Sequence, residues 1–381
     1  IVAGGGPAGL AAALFAARGG ARVVLLERQA EPGRKLLATG GGRCNLTNRA
    51  SAEAMMQAYG RQGRFARPAL EFLSSDDLCR LLADMGVPTR AADGFHVYPV
   101  SESARQVRDR WLGAVRDAGV EIRTDAAVQA LILRDGTIAG VRTAGGEIAA
   151  ERVVLATGGP AYPSLGATRD GYALAEIASH EVVEPTLALV PLVTEEDWCA
   201  QLAGVSLDDV QVWIDRPRHR KRGRRGAMLF THSGVSGPAV LDLSGDVAEL
   251  LGRESAVSVR VNLCPGETTG SWQERLANWR RNRPAGKVER LLSGYMPRSL
   301  AAMLWRLAGQ GGDGAATGLS RARVHALSEL LARLPLTVVR TGGFERAMVV
   351  RGGVSLKEVD PETLESRIDR KSTRLNSSHY S

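Results

Sequence analysis

Three glycines near the start of the chain have the spacing of a phosphate-binding turn. They follow a short apolar strand and precede an alanine-rich stretch with helical character, the context in which a G-x-G-x-x-G motif is informative. Such a turn brings the backbone close to a pyrophosphate, and the helix that follows directs its positive dipole end at the phosphates. The first glycine permits the tight turn, the second lets the backbone approach the pyrophosphate, and the third allows the helix to pack closely on the strand. The cofactor-binding residues predicted in this turn are Gly4, Gly6, Pro7, Ala8 and Gly9.

An acidic residue about twenty positions further along supports this interpretation. Glu27 ends the next apolar run, where a carboxylate accepts the ribose hydroxyls of a dinucleotide. Arg28, which follows it, is also predicted to bind the cofactor. The same glycine spacing recurs at Gly309, Gly311 and Gly314, but there it follows a helical segment rather than a strand. We interpret that second copy as a flexible loop.

A cationic, glycine-rich loop at residues 33–48 comes shortly after this acidic residue. Arg34 and Lys35 are suited to neutralising the charge of a pyrophosphate. Three consecutive glycines then allow the backbone to lie flat against a planar ring, or to present amide donors to developing negative charge. These glycines are Gly40, Gly41 and Gly42.

The region after the first helices favours FAD over a nicotinamide cofactor as the resident dinucleotide. Residues 128–149 contain short strands separated by Asp-Gly and Gly-Gly turns, which predicts an antiparallel meander inserted into a parallel sheet. The next strand ends at Thr157 and Gly158, at the sheet edge where ligands of such folds bind. Flavin enzymes have this layout, whereas simple dehydrogenases lack the meander. NAD(P)H, if it is the reductant, has no fingerprint of its own here and must bind transiently.

The order of patterns predicts an α/β fold in which a dinucleotide-binding domain is interrupted. Strand and helix patterns alternate over residues 1–190, strict period-two alternation follows over 191–268, and helical patterns follow over 269–335. The strand-like segments in residues 336–368 are predicted to return to the first domain. The middle of the chain is therefore expected to be an insertion with a mostly β part and a helical part.

The 381 residues carry a formal net charge of +8, and residues 216–225 alone hold seven cations between two strand-like segments. This pattern is typical of a solvated hairpin tip. No aromatic residue interleaves with the cations, so nucleic acid is not the expected partner. The four cysteines show neither a C-x-x-C nor a metal-ligand spacing, and no apolar run has the length of a membrane span. We therefore expect a cytoplasmic protein with reduced thiols, a small-molecule substrate and no metal.

Several motifs, taken in order, resemble those of one bacterial family. They are residues 33–48, Tyr98-Pro-Val-Ser, Ala156-Thr-Gly-Gly, Phe230-Thr-His-Ser-Gly-Val-Ser-Gly-Pro and Gly352-Gly-Val-Ser-Leu-Lys-Glu-Val-Asp-Pro. Together they are similar to the NAD(P)/FAD-dependent oxidoreductases known as aminoacetone-oxidase-family or 3-dehydro-bile-acid delta-4,6-reductase-like flavoproteins, over nearly all of residues 1–368. The resemblance implies a two-dinucleotide-type, Rossmann-like FAD-binding domain interrupted by a β-barrel-like domain and a helical domain.

The resemblance also implies roles for individual residues. The glycine turn and Glu27 would hold the ADP half of FAD, and Val128 would meet the adenine through its backbone. Thr157 and Gly158 would lie under the cofactor. The residues implied to line the isoalloxazine are Arg43, Cys44 and Asn45.

Four side chains are candidates for chemistry, and Asn45 is one of them because of its implied place at the isoalloxazine. The Arg43 guanidinium is suited to stabilising negative charge on the reduced flavin or on a substrate enolate, and the alternative is a structural pair with a carboxylate. Cys44 is a candidate redox partner of the flavin, but a small apolar contact is favoured because no resolving cysteine is nearby. His232 is a candidate general acid, although a turn residue that bonds backbone is the favoured interpretation.

The sequence thus predicts an FAD-dependent oxidoreductase that passes a hydride through the flavin, between NAD(P)H or a reduced substrate and an acceptor. The acceptor would be a small organic molecule, such as a conjugated enone, or oxygen. Two alternatives stay open: a flavoprotein that acts on or binds RNA, and a flavin-holding regulator without turnover. Neither the substrate nor the oligomeric state follows from the sequence.

Both ends of the chain carry an expectation of their own. The first residue already lies within a strand, so we expect the natural chain to begin earlier. After Ile368 the family likeness stops, and residues 369–381 resemble the translation of a sequencing adapter. The family continues at this point with a strand, Gly-Leu-Tyr-Phe-Ala-Gly-Glu, and a Gly-Gly-Tyr-Asn helix start. Because the tail is polar and offers no core face, we expect it to be disordered.

Overall fold

A computed structural model describes residues 1–217, 219–309, 314–368 and 373–375, the last of these for the backbone alone. The chain divides into two compact units. The first contains Ile1–Pro185 and Val350–Ser381, and the second contains Thr186–Val349. The second unit is thus inserted between two parts of the first.

The strands of the described chain are β1 Val2–Ala3, β2 Val24–Leu26, β3 Thr47–Asn48, β4 Thr89–Ala91, β5 His96–Pro99, β6 Glu121–Arg123, β7 Ala130–Arg134, β8 Thr137–Thr143, β9 Gly146–Ala149, β10 Val153–Leu155, β11 Val182–Ala188, β12 Leu192–Thr194, β13 Ser206–Ile214, β14 Arg224–Thr231, β15 Gly234–Ser236, β16 Val257–Asn262, β17 Leu334–Thr341, β18 Val349–Val354 and β19 Thr373–Leu375. The α-helices are α1 Pro7–Arg18, α2 Arg34–Ala38, α3 Ala52–Ala58, α4 Gly63–Phe72, α5 Ser75–Asp84, α6 Ala104–Asp117, α7 Asp170–Ile177, α8 Trp198–Gln201, α9 Pro238–Leu251, α10 Thr269–Asn282, α11 Val288–Leu292, α12 Arg298–Leu307 and α13 Arg321–Arg333.

The first unit is built on a parallel sheet with strand order β19-β10-β1-β2-β6. Side chains of successive strand residues point to opposite faces, so each short strand contributes to two cores. Val2 and Leu25 pack with α1 and α6 on one face, whereas Ala3 and Leu26 pack with α7 and the meander on the other. This sheet, covered on both faces, confirms the predicted Rossmann-like α/β fold.

The first unit also contains two three-stranded antiparallel sheets, and β11 pairs with β18 in a separate two-stranded sheet. The predicted meander is present as β7-β8-β9, inserted between parallel strands β6 and β10. The second small sheet has the order β3-β5-β4, and it pairs the end of the glycine-rich loop with His96–Pro99. This second sheet was not predicted from the sequence, and it becomes important for the site.

The second unit contains a closed six-stranded barrel with the order β12-β15-β14-β13-β16-β17. Helices α9 to α13 share one continuous core with the barrel, which includes Phe230, Trp272 and Leu276. The sequence placed residues 336–349 in the returning part of the first domain. The structure places them in the second unit, because Leu334–Thr341 pairs with both β12 and β16 and thereby closes the barrel. Local alternation marks a strand, but it does not show which sheet the strand joins.

The predicted hairpin around the basic tract is confirmed, with one difference. Strands β13 and β14 pair antiparallel, but Arg224 and Arg225 lie within β14, opposite Val212 and Gln211. The tip is therefore shorter than the run of cations, since these two arginines already belong to the ladder.

At the carboxyl end of the chain, the prediction of disorder for residues 369–381 is wrong at three positions. Thr373–Leu375 forms β19, which pairs in parallel with Val153–Leu155. The open edge of β10 presents backbone donors and acceptors that an extended segment of any composition can pair with, so a polar sequence is not excluded. The other residues of the predicted tail lie outside the described chain.

In the portion of the chain that the structure describes, no helix is long and apolar enough to cross a membrane.

Candidate functional site

Two of the three motif glycines are required by the protein itself. Gly4 has a φ of +107°, and a Cβ placed on it would lie 2.4 Å from the carbonyl oxygen of Ala156. A Cβ on Gly9 would lie 1.8 Å from the Gly4 carbonyl oxygen. These two glycines therefore let β1, β10 and α1 approach closely, whether or not a ligand is present.

Gly6 is different, because neither its backbone conformation nor its packing within the protein requires a glycine. Its φ of −74° and ψ of 178° are open to any residue, and it precedes Pro7, the first residue of α1. A Cβ on Gly6 would meet no protein atom within 4 Å. Helix α1 has no side-chain cap and no acidic residue in its first turn. Its positive end thus borders open space beside Gly6, and this cradle fits the pyrophosphate of a dinucleotide.

Glu27 holds the turn in place. Its carboxylate is almost completely buried and accepts hydrogen bonds from the backbone N–H groups of Gly5, at 2.7 Å, and Gln29, at 2.8 Å. A carboxylate has about four acceptor positions, so two bonds leave capacity for ribose hydroxyls. The structure thus adds a positioning role at Glu27 to the predicted ribose contact, which stays a prediction.

Arg108 supports the same region, and the sequence reasoning missed it. Its guanidinium donates to Glu31 at 2.9 Å and to Asp109 at 2.8 Å, while its side chain is nine-tenths buried. A Cβ on Gly33, whose φ is +77°, would lie 3.0 Å from the Arg108 Cγ. A signal existed in the sequence: Arg108 lies four residues after Ala104 and four before Leu112, on the buried face of α6.

The predicted cationic residues have separate partners. Lys35 donates from Nζ to the carbonyl oxygen of Gly159 at 3.2 Å, and Arg34 donates to Gln29 at 2.9 Å. Partial burial lowers the pKa of the Lys35 ammonium. Arg28 instead pairs with Asp170 at 2.8 Å. Lys35 is thus the cation placed against the turn that follows β10.

That turn contains Thr157 and Gly158, the predicted contacts under the cofactor. Gly158 has a φ of +74°, and a Cβ on Gly171 would lie only 1.9 Å from the Thr157 Oγ1, so Thr157 packs against the start of α7. Val128 is half-buried and lies just before β7. All three residues lie in the same unit as the glycine turn.

The glycine-rich loop has an unusual backbone. Gly40, Gly41 and Gly42 have φ values of +60°, +68° and +90°, and Cys44 follows at +64°. A Cβ on Gly40 would lie 2.9 Å from the Asn45 backbone nitrogen, whereas one on Gly41 would meet no atom within 4 Å. Gly41 is therefore exposed and free of packing contacts, which suits backbone that lies against a flat ligand.

The three residues predicted to line the ring differ in exposure. Arg43 and Asn45 are exposed, and Cys44 is buried. The Arg43 guanidinium lies over the ring of Tyr98, 5.1 Å from its centroid, and within the described chain it forms no ion pair with a carboxylate. The structural alternative for Arg43, a carboxylate pair, is therefore not found there. Burial raises the pKa of the Cys44 thiol to about 11, which disfavours a thiolate role.

His232 lies in the second unit, in the tight turn between β14 and β15. Its neighbour Ser233 donates its backbone N–H to the Thr231 Oγ1 at 3.4 Å, and the Ser233 carbonyl accepts from Thr194 at 3.1 Å. His232 thus lies in a turn between two strands, and its favoured interpretation as a structural residue that bonds backbone stays a prediction. A role as a general acid stays a prediction.

A family model described as HI0933-like protein Rossmann domain matches residues 1–371. The chain is 34% identical over 369 residues to 3-dehydro-bile acid delta(4,6)-reductase of Clostridium scindens, covering 96% of this chain and 89% of that protein. It is 30% identical over 372 residues to ribosomal RNA dihydrouridine synthase of Escherichia coli, covering 96% of this chain and 88% of that protein. Among solved structures, 3-ketosteroid-delta4-(5alpha)-dehydrogenase from Rhodococcus jostii RHA1 matches with 18% identity and a TM-score of 0.45, covering 99% of this chain and 89% of that one.

Proposed function

The chain belongs to the HI0933-like Rossmann family of FAD-dependent oxidoreductases, and we propose that it reduces carbon–carbon double bonds conjugated to a carbonyl group. The observation that carries the flavin site is the open space beside Gly6, at the uncapped start of α1. FAD bound there would supply hydride transfer from a reduced donor to the double bond of the substrate, and a proton from solvent would complete the saturation. The donor that we propose is NAD(P)H.

The substrate class comes from what two relatives share. The name 3-dehydro-bile acid delta(4,6)-reductase describes a ring ketone with double bonds at the 4 and 6 positions. The name dihydrouridine synthase describes saturation of the uracil ring, whose double bond is conjugated to a carbonyl group. These molecules differ in size and polarity, but both offer an electron-poor alkene to a hydride. That common chemistry is the basis of our proposal.

Residues of this chain would divide the work between binding and electrostatics. The start of α1 and the Gly4–Gly9 turn would hold the pyrophosphate, because backbone N–H groups and the helix dipole favour an anion there. Glu27 would accept the ribose hydroxyls while it holds the turn through Gly5. Lys35 would place its charge near the cofactor from its position against Gly159.

Arg43 is the group that we propose for the developing charge. Hydride addition to an enone places negative charge on the carbonyl oxygen, and a guanidinium stabilises an oxyanion through directed N–H donors. Arg43 is exposed and its charge is not neutralised by a carboxylate within the described chain. Gly41 and Asn45 are also exposed, and we propose them as contacts rather than as chemical groups.

A substrate screen with purified holoenzyme tests this proposal. NADH or NADPH consumption would be measured with a cyclic enone and a steroidal dienone, and in parallel with the matched saturated ketone and the unconjugated alkene. We expect turnover with the conjugated compounds alone, and a product that has gained two hydrogens. Equal turnover of the unconjugated alkene, or none with any conjugated carbonyl, would contradict the proposed substrate class.

A second candidate is the reduction of uracil within RNA, and the exposed hairpin tip favours it. Several cations of the basic tract are paired: Arg216 with Glu254, Arg224 with Asp246 and Arg225 with Asp209. The tip keeps three exposed cations without a carboxylate partner in the described chain. They are Arg220, which also lies 5.5 Å from the centroid of the Trp213 ring, Lys221 and Arg222.

Neutralising the tip separates the two candidates. If RNA is the substrate, binding weakens as salt concentration rises. Replacing the three unpaired cations of the hairpin tip by Ser should then reduce the magnitude of the slope of log affinity against log salt concentration by roughly two to three. It should also reduce activity on RNA. The matched control removes three cations at the end of α10: Arg280, Arg281 and Arg283. For a small-molecule reductase we expect unchanged flavin content and turnover in both triple variants. A selective loss of enone turnover in the tip variant would count against a solvated tip.

A further inference from the structure

Arg43 is held by an aromatic ring rather than by an acid. Its guanidinium carbon lies 5.1 Å from the Tyr98 ring centroid, and its Nε donates to the Gly40 carbonyl oxygen at 3.4 Å. Other arginines of the same unit are paired with carboxylates, for example Arg28 with Asp170 and Arg49 with Asp76. The contact with Tyr98 is therefore a distinguishing feature of the candidate active-site arginine.

The backbone around Tyr98 is fixed on both sides. It lies in β5, the central strand of its three-stranded sheet, opposite Arg90 of β4. Strand β3, at the exit of the glycine-rich loop, pairs with the other edge of β5, and Leu46 donates its N–H to the Val97 carbonyl at 2.9 Å. The ring also faces the middle of the loop, because a Cβ on Gly40 would lie 3.3 Å from the Tyr98 Cε1. Tyr98 therefore has a backbone restrained by the sheet and a ring that lies against Gly40 in the glycine-rich loop.

An aromatic partner has a physical consequence that an acidic partner would not have. A carboxylate would orient the guanidinium but would also cancel its charge and occupy its N–H donors. A ring attracts the guanidinium through its face and leaves both the net charge and the in-plane N–H donors available. The Tyr98 ring thus restrains the Arg43 guanidinium and leaves its positive charge available to stabilise an oxyanion.

We propose that Tyr98 is a positioning residue of the reductase, whose ring orients Arg43 toward the negative charge that develops during hydride transfer. This inference rests on the proposed function, since Arg43 has its electrostatic role only there. It assigns the effect to the ring and not to the phenolic hydroxyl. Phenylalanine at this position should therefore be a sufficient replacement.

The test compares Tyr98→Phe with Tyr98→Leu in the holoenzyme. A cation–π contact at an exposed site corresponds to roughly a two- to fivefold effect, so we expect Tyr98→Leu to slow reoxidation of the reduced enzyme by an enone by that factor. Tyr98→Phe should retain the wild-type rate, and both variants should bind FAD normally. A double-mutant cycle adds the decisive comparison: in an Arg43→Ala background, Tyr98→Leu should cause no further loss.

Two readouts do not depend on turnover. In the nuclear magnetic resonance spectrum of the FAD-free protein, the Arg43 Nε–H proton should show a ring-current shift that Tyr98→Phe keeps and Tyr98→Leu removes. In the holoenzyme, the affinity of the flavin for sulfite reports nearby positive charge, and it should fall in Tyr98→Leu. The wild-type protein could reduce no acceptor while the Arg43 proton shift and the sulfite affinity change as expected. That result would refute the proposed reductase function but would support the orientation of Arg43 by the Tyr98 ring.

Other outcomes overturn the inference. Equal defects in Tyr98→Phe and Tyr98→Leu would assign the effect to the hydroxyl. Additive losses in the double-mutant cycle would show that Tyr98 does not act through Arg43. Wild-type rates and an unchanged Arg43 signal in Tyr98→Leu would show that the ring does not orient the guanidinium. Circular dichroism and thermal unfolding of each variant establish that the fold is intact before these comparisons are made.

Discussion

Replacing Gly6 by Ala should separate cofactor binding from folding. A Cβ at this position meets no protein atom within 4 Å, and the backbone has a φ of −74° that alanine adopts without strain. The free energy of unfolding of the cofactor-free protein should therefore be unchanged, or rise by about 0.4–1 kcal/mol because the unfolded chain loses conformational freedom. The added methyl group would instead occupy the space that we assign to the pyrophosphate.

The cost to binding follows from the bonds that the methyl group prevents. A hydrogen bond to a charged group contributes about 1.5–3 kcal/mol, so losing one such bond at the start of α1 weakens FAD binding roughly 10- to 150-fold. Gly6→Val, with a larger side chain, should abolish binding. Titration of the apoprotein with FAD, followed by tryptophan fluorescence, measures the dissociation constant directly. Thermal unfolding without FAD measures stability in parallel.

Two matched substitutions make the result interpretable. Gly113→Ala adds a methyl group within α6, where no atom lies within 4 Å, and should stabilise the fold by about 0.5–1 kcal/mol without affecting FAD. Gly9→Ala would place its Cβ 1.8 Å from the Gly4 carbonyl oxygen and should destroy the fold. Wild-type FAD affinity in a folded Gly6→Ala protein would refute the assignment of the pyrophosphate to this turn.

Further predictions concern charge and burial. Arg43→Ala should slow hydride transfer to an enone more than tenfold, by analogy with the loss of one oxyanion donor. The dissociation constant for FAD should stay nearly unchanged. Loss of FAD occupancy with no rate defect in the remaining holoenzyme would instead assign Arg43 a structural role. Arg108→Leu should lower the free energy of unfolding by about 1–2 kcal/mol, because it removes charge-assisted bonds to Glu31 and Asp109, whereas the exposed Arg105→Leu should have little effect in the same denaturant titration. Burial raises the pKa of three thiols to about 11. Between about pH 9 and 11 these thiols lose their protons in the unfolded chain but keep them in the folded chain. The free energy of unfolding should therefore fall as pH rises through that window. The thiols are those of Cys44, Cys199 and Cys264. Cys199→Ala should reduce this slope, and a slope identical to wild type would contradict the burial argument.

The local sequence predicted secondary structure correctly where a residue type, such as glycine in a tight turn, is favoured for one conformational reason. The spacing of the first glycines predicted a strand, a turn and a helix start, and β1, the turn and α1 follow in that order. The meander was predicted because Asp135-Gly136 and Gly145-Gly146 separate short alternating runs, and β7-β8-β9 has those turns. These signals lie within a few residues of the structure that they predict, so no long-range information was needed.

Long-range contacts were not accessible in the same way. The strand at Leu334–Thr341 was recognised only from residue 336 onward, because residues 334 and 335 were assigned to the helical region. Its partners β12 and β16 are distant in the sequence, so its place in the barrel was missed. Arg108 supports Gly33 across 75 positions of sequence, and its burial is visible only as a charge on an apolar helix face. The partner of Arg43 was predicted to be a carboxylate or a ligand, and the aromatic ring beneath it follows only from the pairing of β3 with β5.

We propose that a flavin bound in the first unit reduces a conjugated double bond. Anaerobic single-turnover mixing can test this, because it follows the two half-reactions of the flavin separately. We predict that NADH or NADPH bleaches the visible flavin absorbance of the holoenzyme. A conjugated enone should then restore the absorbance and yield an equimolar amount of the saturated ketone. If the reduced enzyme is reoxidised by oxygen but by no conjugated carbonyl compound, the protein is not the reductase that we propose.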